Sequence, residues 1–305
     1  MKKLVKLGLI ALCAVIGLAV FTGCSSSFRE ERPVAVVSRE PDSGSRDSIM
    51  EMLFGSTDAP NIIMPEGVIV QNSTAAIYVE VSGNPQAIGY ESLGHLSGRT
   101  SVRMISVDGV PVTPENVRDG SYPFARNLSV VYHQETLDSN PAAYAFRLFM
   151  VSAEAQAVID YRGYVSQVVD ASAYVPVAGL TGTIRISGST TVHPLMNRLV
   201  EEFRRLQPNV TMEVAGGGSG AGRNNMRDGI SDFGMTSAPV TDAQRESMAA
   251  GRTVRDLTIA DDAIAIIVHS TNPMTNITSA QLRHLYNRDS GTTFASWAEL
   301  IAYGA

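Results

Sequence analysis

Short apolar runs and amphipathic stretches alternate along almost the whole chain. "VAVVS" (34–38) predicts a short buried strand, and after a turn "RDSIMEMLF" predicts a helix. "AIYVEVS" reads as a further strand-like apolar run, "AIGYESL" as a strand with its turn, and "SVRMISVDG" as a strand closing in a turn. "NPAAYAFRLFMVSAEAQAVIDYRG" predicts one long helix with Ala145, Leu148, Phe149 and Ser152 on one face, ending at Gly163. "TIRIS" (183–187) alternates as a strand does. "PLMNRLVEEFRRL" then repeats Leu195, Leu199, Phe203 and Leu206 as one helical stripe, stopped by Pro208. "NVTMEV", "DFGMTS" (232–237) and "AIAIIVH" (263–269) predict strands, and "SAQLRHLYN" (279–287) an amphipathic helix. Alternation of this kind predicts α/β layers.

The first residues do not belong to that pattern. Lys2, Lys3 and Lys6 precede an uncharged stretch, Leu7 to Gly23, that ends in "FTGC". A basic start, an apolar core and small residues before a cut predict a secretory signal over residues 1–23. Thr22-Gly23-Cys24 before a serine run resembles a bacterial lipobox, with Cys24 the lipidated first residue of the mature protein. Phe21 departs from the leucine usual in that motif. Residues 24–32 then form a Ser-rich tether, and the expected place is the cell membrane, lipid-anchored, facing the periplasm or exterior.

Removing the signal changes the charge. All three lysines go with it, leaving 21 arginines against 30 acids and a net charge of −9. So acidic a body argues against a nucleic-acid surface. One of the two cysteines (Cys13) lies in the signal and the other is Cys24, which excludes an internal disulfide and a cysteine metal site. The five histidines show no HExxH-like spacing, and no metal or other cofactor is expected. The small-residue, Pro- and Gly-containing segment 170–182 marks the main joint, with a linker at 176–182 between regions 33–175 and 183–305.

One local pattern recurs three times: a strand, a short Gly/Ser/Thr turn and a helix start. It occurs in "VVSREPDSGSRDS" (37–48), "IRISGSTTVHP" (184–194) and "MEVAGGGSGAGRNN" (212–225). Unpaired N–H groups of a helix's first turn, with hydroxyls beside them, form an anion-binding arrangement. A single Ser or Thr at such a place is usually only a helix cap. "GGGSGA" also fits a dinucleotide loop, but Asp232 matches the expected ribose acid poorly. Nor does Ser219 sit in a nucleophile elbow, since Ala221 stands where the second glycine belongs. Arg39 adds a fixed cation suited to phosphate-like oxygens, with a salt bridge to Glu40 or Asp42 as the plainer reading.

These motifs resemble, over nearly all of the mature chain, the phosphate-binding proteins of phosphate ABC transporters (PstS type). "SREPDSGSRDS" is similar to that family's arginine-bearing phosphate loop, and "ISGSTTVHPLMNRLVEEF" and "GGGSGAGRNNMRDGISDFGMTSAP" to its other half. The resemblance implies a type II periplasmic-binding-protein fold, two α/β lobes with the ligand cleft between them. It implies that Arg39 supplies charge, that Ser43, Gly44 and Ser45 supply hydroxyls and amides, that Thr190 and Ser219 supply hydroxyls, and that Thr191 contributes its backbone. Ser237 stands where some members place an aspartate that accepts the ligand's proton, so an acceptor is expected from Glu40, Asp47 or Ser237 itself. The order also departs: region 33–175 resembles the family's later half and 183–305 its earlier half, which implies a circular permutation.

The expected function is therefore not enzymatic. The chain is expected to be a monomeric lipoprotein that captures inorganic phosphate and delivers it to the membrane permease of an ABC transporter. A phosphate sensor or adhesion lipoprotein is the alternative, and an exported phosphatase a more distant one. Closure is expected to draw on 122–127 and 269–273.

Overall fold

The computed structural model describes residues 27–55, 64–287 and 294–303; the signal, Cys24 and Ala305 lie outside them. Its elements run β1 (Ala35–Arg39), α1 (Gly44–Phe54), β2 (Ile69–Gln71), α2 (Thr74–Gly83), β3 (Ala87–Ser92), α3 (Leu93–Leu96), β4 (Val102–Val107) and α4 (Pro114–Arg118). There follow β5 (Ala125–His133), α5 (Gln134–Ser139), α6 (Pro141–Phe149), α7 (Ala153–Tyr161), β6 (Gly182–Gly188), α8 (His193–Leu206), β7 (Val210–Gly216) and α9 (Ser219–Arg227). The chain closes with β8 (Phe233–Thr236), α10 (Asp242–Ala249), β9 (Val254–His269), β10 (Asn276–Ile277), α11 (Ser279–Tyr286) and α12 (Trp297–Tyr303).

Two expectations from periodicity are corrected. "AIYVEVS" is helical, within α2. Ser73 caps its start by accepting from Ala76 N, and Ile77 and Val81 bury completely one turn apart. Cap and spacing override the strand preference of the β-branched residues. The long helix divides into α6 and α7, because Ser152 leaves helical geometry to cap α7, accepting from Ala155 N. A serine competes for backbone donors and favours a cap over a helix interior. Leu148 accordingly stays partly exposed.

Two apolar cores define two lobes. The first gathers Val37, Ile49, Ile88, Ile266 and Trp297; the second gathers Ile186, Phe146, Phe149, Phe203 and Phe233, with the Phe146 ring edge to face on those of Phe203 and Phe233. In the first lobe β1 pairs in parallel with β2 and β3, and in the second β6 pairs in parallel with β7 and β8. The sixteen-residue β9 serves both: its C-terminal part lies antiparallel to β3 and β4, and its N-terminal part antiparallel to β5. The chain thus crosses between lobes at 124–128 and 260–263. The first crossing overlaps the 122–127 segment, and 269–273 lies beyond the second, at the first-lobe end of β9.

Each half of the sequence contributes to both lobes. The start of the described chain packs against the last helix: Trp297 N donates to Arg32 O at 3.0 Å, Ala298 N to Glu30 O at 2.8 Å, and the Phe28 and Trp297 rings meet edge to face.

Candidate anion-binding cleft

Parallel strands that feed helices present helix N-termini at their carboxyl ends, the usual place for ligands in open α/β sheets. Five such ends meet between the lobes. The β1–α1 and β2–α2 turns belong to the first lobe; the β6–α8 and β7–α9 turns and the end of β8 belong to the second. Arg39, Ser43, Gly44, Ser45, Thr190, Thr191, Ser219 and Ser237 all lie at these ends, and the structure brings all eight together.

Arg39 ends β1, where its N–H donates to Tyr90 Oη at 3.0 Å. Its guanidinium is buried and divides its donors. Nε and Nη2 hold the Glu40 carboxylate at 2.7 and 2.8 Å, while Nη1 reaches Thr74 Oγ1 at 3.0 Å and Nη2 reaches Thr190 Oγ1 at 3.1 Å. The plainer reading holds, a salt bridge to Glu40, and the same guanidinium is also turned toward the second lobe. Glu40 is thereby occupied as an acceptor.

Ser43 caps α1, its hydroxyl accepting from Arg46 N. The N–H groups of Gly44 and Ser45 follow in the first turn, where a helix offers no internal acceptor. Gly44 is a glycine for space: a Cβ there would collide with Ser219 Oγ and stand 2.8 Å from Ser237 Oγ, both on the opposite lobe. Gly188, at φ 134°, is needed for the same reason and for its backbone, as a Cβ would overlap Met235.

The second lobe supplies hydroxyls. Ser189 Oγ donates to Ser237 Oγ at 2.9 Å and accepts from Thr191 N at 3.2 Å, so the Thr191 backbone donor expected to serve a ligand is engaged. The Thr191 hydroxyl joins the cleft instead, 2.8 Å from Ser45 Oγ and 2.9 Å from Thr74 Oγ1. Ser219 Oγ accepts from Ser237 N, which leaves its proton to donate. Two further bonds tie the lobes: Ser48 Oγ donates to Ser237 O, and Gly220 N to Asp42 O at 3.2 Å.

Beside the cleft lies a second charged group. Burial, offset by Arg223 and Arg46, raises the Asp47 carboxyl above its ordinary value, and burial lowers Arg223 below its own despite Asp47 and Asp42. A cavity of about 360 Å³ opens here, lined by Asp42, Gly220, Arg223 and residues of α10. Among the described residues no cluster of His, Cys, Asp and Glu could hold a metal ion, and no helix is long and apolar enough to cross a membrane.

Four residues of this surface escaped sequence reasoning. Thr74 stands two places before a stretch taken for a strand. Ser189 stood one place before the threonines singled out. Arg126 and Asp262 lie within strands, where nothing local marks them.

Two jaws, joined by crossing strands and lined on facing sides by helix N-termini, hydroxyls and one bridging guanidinium, define a two-lobed solute-binding protein. Residues 25–154 and 175–300 match the PBP superfamily domain. Phosphate-binding protein PstS 2 of Streptococcus agalactiae is 30% identical over 98% of this chain and 99% of its own length. Its namesake in Streptococcus pneumoniae is 28% identical over 94% and 96%. PstS of Pseudomonas aeruginosa is 28% identical over 37% of this chain and 36% of its own length. A solved structure of a phosphate ABC transporter's phosphate-binding protein from Streptococcus pneumoniae TIGR4 superposes with TM-score 0.68 at 29% identity. It covers 88% of this chain and 99% of its own. The chain belongs to the PBP superfamily and, within it, to the PstS-type phosphate-binding proteins.

Proposed function

We propose that this protein captures inorganic phosphate between its lobes and passes it, chemically unchanged, to the permease of an ABC transporter. The observation that carries this reading is the convergence of Arg39, the α1 N-terminus and the Thr190, Thr191, Ser219 and Ser237 hydroxyls on one point between two lobes. Donors of this number and direction match a compact tetrahedral oxyanion, whose oxygens accept from all sides. In this reading Ser43 and Gly44 shape the first-lobe loop, Ser45 donates its amide and hydroxyl, and Arg39 supplies the charge.

Export and anchoring through Cys24 belong to the same proposal, supported by the basic and apolar start of the chain and the "FTGC" that follows. So does a circularly permuted order of elements. The Streptococcus agalactiae relative matches 98% of this chain, whereas the Pseudomonas relative matches 37% of it, the extent expected of one half. The contact between Arg32 and Trp297 puts the start of the domain beside its last helix, as a break in a surface turn requires.

Calorimetric titration of the exported domain with phosphate, sulfate and arsenate tests the reading. Saturable 1:1 binding of phosphate, stronger than that of sulfate, is the expected result. Heat traces with no binding of any of the three would remove it.

A further inference from the structure

Arg126 is buried, charged and placed one layer behind the cleft, on the crossing strand β5. Asp262 stands directly opposite it on β9. The aspartate's Oδ2 accepts from Arg126 Nε at 3.2 Å and Nη2 at 3.0 Å, while its Oδ1 accepts from Ser92 Oγ at 2.9 Å and Gly94 N at 3.3 Å. Both aspartate oxygens are thus satisfied from within, and the pair is oriented: its carboxylate faces β3 and α3, its guanidinium the cleft. From there Arg126 Nη1 donates to Ser45 Oγ at 2.9 Å and approaches Ser237 O at 3.4 Å.

Counting protons shows what this donation does. Ser45, Thr191, Thr74 and Thr190 form a chain of hydroxyls, with oxygens 2.8, 2.9 and 3.3 Å apart in that order. Each hydroxyl has one proton to give and two lone pairs to receive. The chain therefore holds four protons for three internal links. Its Ser45 end receives from Arg126 and its Thr190 end from Arg39, and a guanidinium has no lone pair to accept anything back. One hydroxyl proton is left without a partner inside the chain. A buried donor without a partner is unfavourable, so the arrangement calls for an acceptor from outside.

We propose that Arg126, anchored by Asp262, is a positioning residue of the cleft: by closing the Ser45 end of the hydroxyl chain whose other end Arg39 closes, it obliges the chain to donate to a bound oxyanion. The inference rests on the reading of the cleft as an anion site and adds a second arginine to it. Arg126 does not touch the anion. It removes the other directions in which Ser45 and its neighbours could point, and it turns the positive end of a buried ion pair toward them.

The test uses the full chain in three forms: wild type, Arg126→Lys, and the double variant Arg126→Met with Asp262→Asn, which leaves no unpaired buried charge. Phosphate affinity is measured by calorimetry, with the thermal midpoint of each protein recorded without phosphate. The expected result is a loss of roughly tenfold to a hundredfold in the double variant at an unchanged midpoint, with most of the affinity recovered in Arg126→Lys. A folded double variant that binds like wild type overturns the role of Arg126 and leaves the cleft reading intact. So does a lysine variant as weak as the double one, since a donor and a charge at that place would then not be what matters. A wild type that binds no phosphate overturns the cleft reading and this proposal with it.

Discussion

The two faces of the cleft are built from one local motif and carry different chemistry. On the first lobe the strand–turn–helix unit bears a guanidinium, Arg39, at the strand end and a bare glycine, Gly44, at the helix start. On the second lobe the equivalent turns bear hydroxyls and no charge: Thr190 and Thr191 after β6, Ser219 after β7, Ser237 after β8. An arginine offers net charge and a fixed fork, so it supplies most of the attraction for an anion. Hydroxyls are neutral and rotate, so they set how many acceptors a ligand must present and in which directions. In the proposed reading, the same backbone arrangement thus attracts on one side and selects on the other.

The sharpest way to break this comparison is to remove the charge. Arg39→Ala is expected to weaken phosphate binding by about 3 kcal/mol or more, over a hundredfold, because a desolvated anion would lose its main countercharge. Equal affinity in wild type and variant, by calorimetry, would place the attraction elsewhere. Next comes the contact between the two faces. Gly44→Ala adds a Cβ against Ser219 Oγ and 2.8 Å from Ser237 Oγ, which is expected to hold the lobes apart. Small-angle scattering should then show no contraction with phosphate, and affinity should fall by at least about tenfold. A smaller effect is expected from the selecting face: Ser219→Ala deletes one neutral donor and should cost about 1 kcal/mol, roughly fivefold in affinity. Were Ser219→Ala to cost more than Arg39→Ala, the division of labour would be reversed.

Much of the attracting face was legible because it is local. Arg39, Ser43, Gly44 and Ser45 follow one another within a single turn, and their spacing after an apolar run predicts a helix start with donors. Thr190 and Ser219 were legible for the same reason. Arg126 and Asp262 were not. They lie 136 residues apart in separate strands, and only the antiparallel register of β5 on β9 sets them opposite. Thr74 was hidden by composition, since the β-branched residues around it favour a strand until Ser73 is recognised as a cap. The division of α6 from α7 escaped for a related reason: Ser152 fits a helix face by spacing, and its capping bond shows only in three dimensions.

A further expected effect, on stability rather than binding, lies behind the crossing strands. Glu91 is fully buried and its Oε2 has no hydrogen-bond partner; burial raises its carboxyl above the ordinary 4.5, partly offset by His95. A carboxyl whose pKa is raised on folding favours the protonated folded state, so its contribution is intact at low pH and is lost as pH rises through the folded value. Glu91→Gln is therefore expected to gain stability relative to wild type as pH climbs above 4.5, by about 1 kcal/mol at neutrality. Thermal midpoints of the two proteins measured across that range check it, and parallel curves would contradict it.

One contact between the jaws stands apart from all of these. Gly220 N meets Asp42 O through main-chain atoms alone, beside the charged group of Arg223, Asp42 and Asp47. Added electrolyte weakens the attraction of Arg223 for the two carboxylates; the amide–carbonyl bond does not respond to it. The contact at this corner therefore has a component that brine leaves alone. Its one vulnerability is steric, since a Cβ on Gly220 would stand 2.8 Å from that of Asp42. Substitutions that retune the ionic contacts around this corner leave the same latch in place.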